Sequence, residues 1–69
     1  MKLENKSIRD VDKYFVCLAL EDFGGSFFRA MGRAMRHADV SNYNKIINTW
    51  EKEIQDCYDL FVIHRNKIV

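Results

Sequence analysis

The punctuation of this chain constrains it most. Gly24 and Gly25 stand together, Gly32 is the one other glycine, and proline is absent from all 69 residues. A sheet protein of this size turns every few residues and draws on Gly and Pro to do so. No apolar run here alternates with period two. Helical spacing recurs instead, and the sequence reads as all-α: a compact three-helix domain with a long C-terminal helix, spanning residues 1–69 as one unit.

The first helix is expected over about residues 7–22. Ser7 opens SIRD, an N-cap serine with an acid at the third helical position. Ile8, Val11, Phe15, Leu18 and Ala19 follow at helical spacing, and the broad apolar arc predicts more than one packing neighbour. Gly24–Gly25 ends this helix, since glycine takes left-handed dihedrals cheaply, and Ser26 is placed to cap the next. That second helix is expected over about 27–38. Phe27, Phe28, Ala30, Met31, Gly32, Ala34, Met35 and Ala38 share one wide face, and Arg29, Arg33, Arg36 and His37 occupy the remainder. Ala30, Ala34 and Ala38 are small enough to admit a neighbouring backbone. Asp39 or Ser41 then caps a third helix.

The third helix is expected over about 42–65 without a break. Tyr43, Ile47, Trp50, Ile54, Cys57 and Phe61 repeat in a 4-3-4-3-4 pattern, the spacing of a coiled-coil seam. At 1.5 Å per residue it would run roughly 36 Å, against about 20 Å for the others. Its C-terminal part should therefore project beyond them. Leu60, Val62 and Ile63 lie off the seam, and apolar groups without an intramolecular neighbour mark contact sites. These three are the candidates for self-association into a dimer or larger homo-oligomer.

A chain this short buries only about 60 % of its unfolded surface. Domains of this size lean on disulfides, a metal or a partner chain. Cys17 and Cys57 match no metal or redox spacing and sit among apolar residues, which suggests a reducing compartment rather than a disulfide. No signal-peptide core opens the chain, and no apolar run approaches the ~20 residues that cross a bilayer. A cytoplasmic protein with no membrane partner is expected. The net charge of +1 gives no general attraction to nucleic acid. The local excess lies in residues 26–40, with three Lys/Arg against one acid.

The segment GGSFFRAMGRAMRHADVSNYNKIINTW resembles a family of small proteins encoded by bacteriophages and prophages. The matching positions are Gly25, Ser26, Phe27, Ala30, Ala34, Ala38, Asp39, Asn42, Ile46 and Trp50. They cover about half the chain and consist mostly of caps and small packing residues. Members often carry a proline just after the aromatic; Glu51 stands there instead, so the third helix should continue. The resemblance implies a phage or prophage origin and brings no catalytic residues.

Catalysis finds little support in the residues. An acid–base pair or nucleophilic triad needs groups converging in a pocket, and short helices offer little concavity. His37 and Asp39 are two apart and would diverge on a helix. Cys57 and His64 are separated by about 10 Å of rise, too far to share one ion. Neither enzyme activity, metal nor cofactor is expected.

The arginines carry the remaining question. Arg29, Arg33 and Arg36 fall at i, i+4 and i+7 and project in one direction. A solvated polar face is the plain reading. An acidic protein surface is the next, and a nucleic-acid backbone the third, with the second helix as reader of a loose helix-turn-helix. Phe27 and Phe28 occupy the positions where base-reading side chains belong, Glu21 and Asp22 repel phosphate, and three cations neutralise little. Aromatics beside arginine compose a protein hot spot. The expected function is thus a non-catalytic phage or prophage interaction module. It would engage a host protein through Phe28, Arg29, Arg33, Arg36 and His37, as an inhibitor that masks its target. A DNA-binding regulator is the alternative, and a structural phage component a third possibility.

Overall fold

A computed structural model describes residues 4–68. Four α-helices follow a 3-10 turn at Ile8–Asp10: α1 Lys13–Phe23, α2 Gly25–Arg36, α3 Val40–Thr49 and α4 Glu51–Ile68. The described residues contain no strand. The all-helical class stands, but the expected three-helix count does not.

The first helix starts later than its serine suggests. Ser7 does cap, yet it closes only the 3-10 turn, its hydroxyl accepting from the Arg9 amide at 3.3 Å. The backbone is extended at Val11. Asp12 then takes the Tyr14 amide at 2.8 Å and starts α1. Two caps five residues apart compete, and burial decides between them. Ile8 is driven under α4, where its amide donates to Gln55 Oε1 at 2.9 Å. The same Gln55 donates through Nε2 to the Lys6 carbonyl at 3.1 Å, and Tyr58 donates its hydroxyl to the Glu4 carbonyl at 3.1 Å. The N-terminal segment is thereby strapped along α4.

Gly24 joins α1 to α2 directly, its amide donating to the Leu20 carbonyl at 2.9 Å. Gly25 takes a positive φ of 70°, so the chain reverses within two residues. The α2 helix therefore begins before Ser26, with no side-chain cap, and ends at Arg36. The close approach to α1 occurs at Gly32, not at the alanines. A Cβ built on Gly32 would lie 2.9 Å from the Cys17 carbonyl oxygen and 3.0 Å from Leu20 Cβ. Ala30 and Ala34 are exposed instead.

The expected long third helix is interrupted at Trp50, whose φ of −119° and ψ of 27° are non-helical. No local breaker causes this. Arg9 straddles the interruption, donating to Asn48 Oδ1 at 2.7 Å and to Glu51 Oε2 at 2.8 Å. Trp50 itself is half-buried against Phe27 and Phe28. Ile47 and Ile54, on either side of the bend, both enter the core. A straight rod of roughly 36 Å would exceed the molecule, whose longest dimension is 33 Å. Val16, Leu20, Met35, Ile54 and Phe61 form the centre of that core, with no exposed surface.

Candidate functional site

The arginine stripe is not three equivalent cations. Arg36 donates Nε to the Glu21 carboxylate and stacks over the Tyr14 ring at 5.4 Å. Hydrogen bonding to Glu21 raises its pKa above the usual guanidinium value, so it stays charged. Arg29 donates Nε to the Glu21 main-chain carbonyl at 3.2 Å. Glu21 lies at the end of α1, where α2 turns back, and it engages two of the three arginines among the expected binding residues. Arg33 is exposed and makes no hydrogen bond or ion pair among the described residues. His37, the C-cap of α2, is exposed beside it.

The aromatics divide differently from expectation. Phe28 is half-buried, while Phe27, placed by spacing on the core face, is 58 % exposed. Phe27, Phe28 and Trp50 meet edge-on, with ring centroids 5.1 Å (Phe27–Phe28), 5.6 Å (Phe27–Trp50) and 5.8 Å (Phe28–Trp50) apart. At about 100° per residue, Phe27, Ala30 and Ala34 form one stripe, more than a third of a turn from the buried Gly32 and Met35. The apolar face of α2 thus divides: Gly32 and Met35 are buried, while Phe27, Ala30 and Ala34 stay exposed. Its uncovered half runs from the aromatic trio to Arg33 and His37.

At the other expected site, Leu60 and Ile63 are 53 % and 51 % exposed. Val62 is not a surface residue: it follows the buried Tyr58 by one helical turn and is itself buried. The straight-rod argument for this patch fails with the break at Trp50. The patch survives because Leu60 and Ile63 lie on the outward side of α4, away from the buried Tyr58 and Phe61.

Two clefts bear on chemistry. One of about 280 Å³ is lined by Asp12, Lys13, Tyr14, Cys17 and Arg36. Burial pushes the Cys17 thiol up, which keeps it protonated despite the opposing pull of Arg36 and Lys13. Lys13 is committed to the Ala38 carbonyl at 2.7 Å. The other, about 340 Å³, lies between the 3-10 turn and α3 and is bordered by Arg9, Tyr43 and Asn48. Desolvation holds the Tyr43 phenol up at about 12. Cys17 and Cys57 are both buried and unbridged. Among the described residues, no group of three or more His, Cys, Asp or Glu converges as metal ligands would. Asp39 is committed to capping α3 through the Asn42 amide at 2.8 Å. His64 packs edge-on against Phe23 at 5.4 Å. No described helix is long and apolar enough to cross a membrane.

Sequence reasoning missed Glu21, Gln55 and Phe27. Phe27, Ala30 and Ala34 stand at i, i+3 and i+7, a legible stripe assigned wholly to the core. No protein-family model matches the chain, and neither a curated protein nor a solved structure matches it.

Proposed function

We propose that this chain is a non-catalytic interaction module that binds an acidic, apolar-faced helix of another protein on the uncovered half of α2. The observation that supports this is Phe27. It is more than half exposed, yet pinned edge-on by Trp50 and Phe28. A rigid aromatic loses little side-chain entropy on binding and anchors hot spots. Ala30 and Ala34 leave room beside it for a helix to approach. Arg33 and His37 border the stripe on one edge and select carboxylates there. With the phage or prophage origin implied by the resemblance, the partner would be a host or host-defence protein, masked in the host cytoplasm. The nucleic-acid alternative draws less support, because Arg29 and Arg36 already serve Glu21.

Trp50 is the single tryptophan and touches Phe27, so its emission reports occupancy of this face. Host lysate is passed over wild type and over Phe27→Asp/Arg33→Glu, and a protein lost by the variant is purified and titrated. It should shift Trp50 emission and bind the variant at least about tenfold more weakly. Identical captures by both baits would reject the proposal.

A further inference from the structure

The outward face of α4 has a charge order that the α2 face lacks. Glu53, Asp56, Leu60, Ile63 and Lys67 follow one another at 3-4-3-4 spacing, and all five are exposed. They lie opposite Ile54, Tyr58 and Phe61, which face the core. Glu53, Asp56 and Lys67 make no hydrogen bond or ion pair among the described residues. The stripe thus runs acid, apolar, base from one end to the other.

We infer that this face pairs with a second copy of the chain, α4 against α4, antiparallel about a two-fold axis between positions 61 and 62. Heptad positions of the two types then alternate across the seam. Leu60 of each copy packs on Ile63 of the other, and Asp56 of each meets Lys67 of the other. A parallel pairing stacks Asp56 on Asp56 and Lys67 on Lys67, and the charge order excludes it. A two-fold contact is self-complementary by construction, and a stripe acidic at one end and basic at the other satisfies that condition. The α2 face does not: its cations lie on one edge, and an antiparallel α2 pair would set Arg33 near Arg33. The occupants of the two surfaces therefore differ. Two apolar residues per copy fall short of the ~1,000 Å² expected of a stable interface. The dimer is accordingly weak, forming in the micromolar-to-millimolar range.

Sedimentation equilibrium of the whole chain up to about 1 mM tests this, with helicity checked by circular dichroism. Wild type should dimerise, and Leu60→Asp should abolish the dimer while remaining folded, since Leu60 is already half exposed. Asp56→Lys and Lys67→Asp should each weaken it about tenfold. The double exchange Asp56→Lys/Lys67→Asp should restore it. These positions lie about 16 Å apart along one helix, so rescue can arise only between copies. A wild type monomeric at 1 mM, or a double exchange no better than the singles, overturns the proposal. Phe27→Asp should dimerise like wild type, which separates failure here from failure of the α2 reading.

Discussion

Between α1 and α2 the backbones themselves meet, whereas α3 rests on the body by one enclosed side chain, a few half-buried ones and its ends. At the first contact, Gly32 lies against the Cys17 carbonyl, and Val16, Cys17, Leu20 and Met35 are enclosed around it. At the second, Ile47 is the only buried residue of α3. Tyr43, Ile46 and Trp50 pack against the core only partly buried, and polar contacts add the Asp39 cap at one end and the Arg9 clamp to Asn48 and Glu51 at the other. The first contact draws on apolar burial, which scales with area and ignores salt. The second depends on exposed charges, which salt and acid weaken. Local opening should therefore begin at α3, next to the surface on which the α2 partner is proposed to sit.

The comparison can be broken most directly in the core. Leu20→Ala should cost about 2–5 kcal/mol, a large share of the ~3–10 kcal/mol expected for a chain this long. Ile47→Ala should cost less, because α3 can settle into the space. Urea denaturation measures both, and equal losses would place α3 on the same footing as α1. Gly32→Ala comes next, at about 1–3 kcal/mol, because the added methyl meets backbone rather than a flexible side chain. A gain of about 1 kcal/mol, as at an exposed helical glycine, would show that the two helices do not touch there.

Tyr43 sharpens the α3 side. Its hydroxyl is buried with no hydrogen-bond partner among the described residues, so Tyr43→Phe should be neutral or stabilise by up to about 1 kcal/mol. Its phenol is held up at about 12 in the fold, above the ~10 of an unfolded chain. The folded state binds that proton more tightly, so the stabilisation is complete below pH ~10 and is lost as pH rises toward 12. The variant should lose part of that alkaline decline. A clear loss of stability at neutral pH would reveal a partner for the hydroxyl.

Arg9→Gln should have the smallest effect at neutral pH, since both members of its ion pair are exposed. The hydrogen bond from Arg9 holds the Glu51 carboxyl below its usual range. That contribution is present above the unfolded pKa near ~4.3 and fades as pH falls through the lower folded value. The variant should flatten the acid limb without moving the alkaline one. A large loss at pH 7 would mean the clamp, not Ile47, holds α3.

Local signals were legible where one residue decides the outcome. Gly24–Gly25 ended α1 within a residue of the expected place, and Asp39 capped α3 as one of two candidates. Competing signals were not. Ser7 and Asp12 both cap, and only the pull of Ile8 under α4 ranks them. Of the candidate sites, Arg33, His37, Leu60 and Ile63 are exposed as the pattern implied. Arg29 and Arg36 are exposed but engage Glu21, and Val62 is buried, because helical spacing gives a direction and says nothing about what lies in it.

By itself, the sequence determined the helical class and the reversal at residue 24, since both follow from backbone dihedrals and from the period of the apolar residues. The tertiary structure alone decided the break at Trp50. Nothing between residues 40 and 68 opposes a continuous helix locally; only the enclosure of Ile47 and Ile54 in one core, with Trp50 seated on Phe27 and Phe28, makes the bent path lower in free energy. The same long-range packing decided which half of the α2 apolar face was left uncovered.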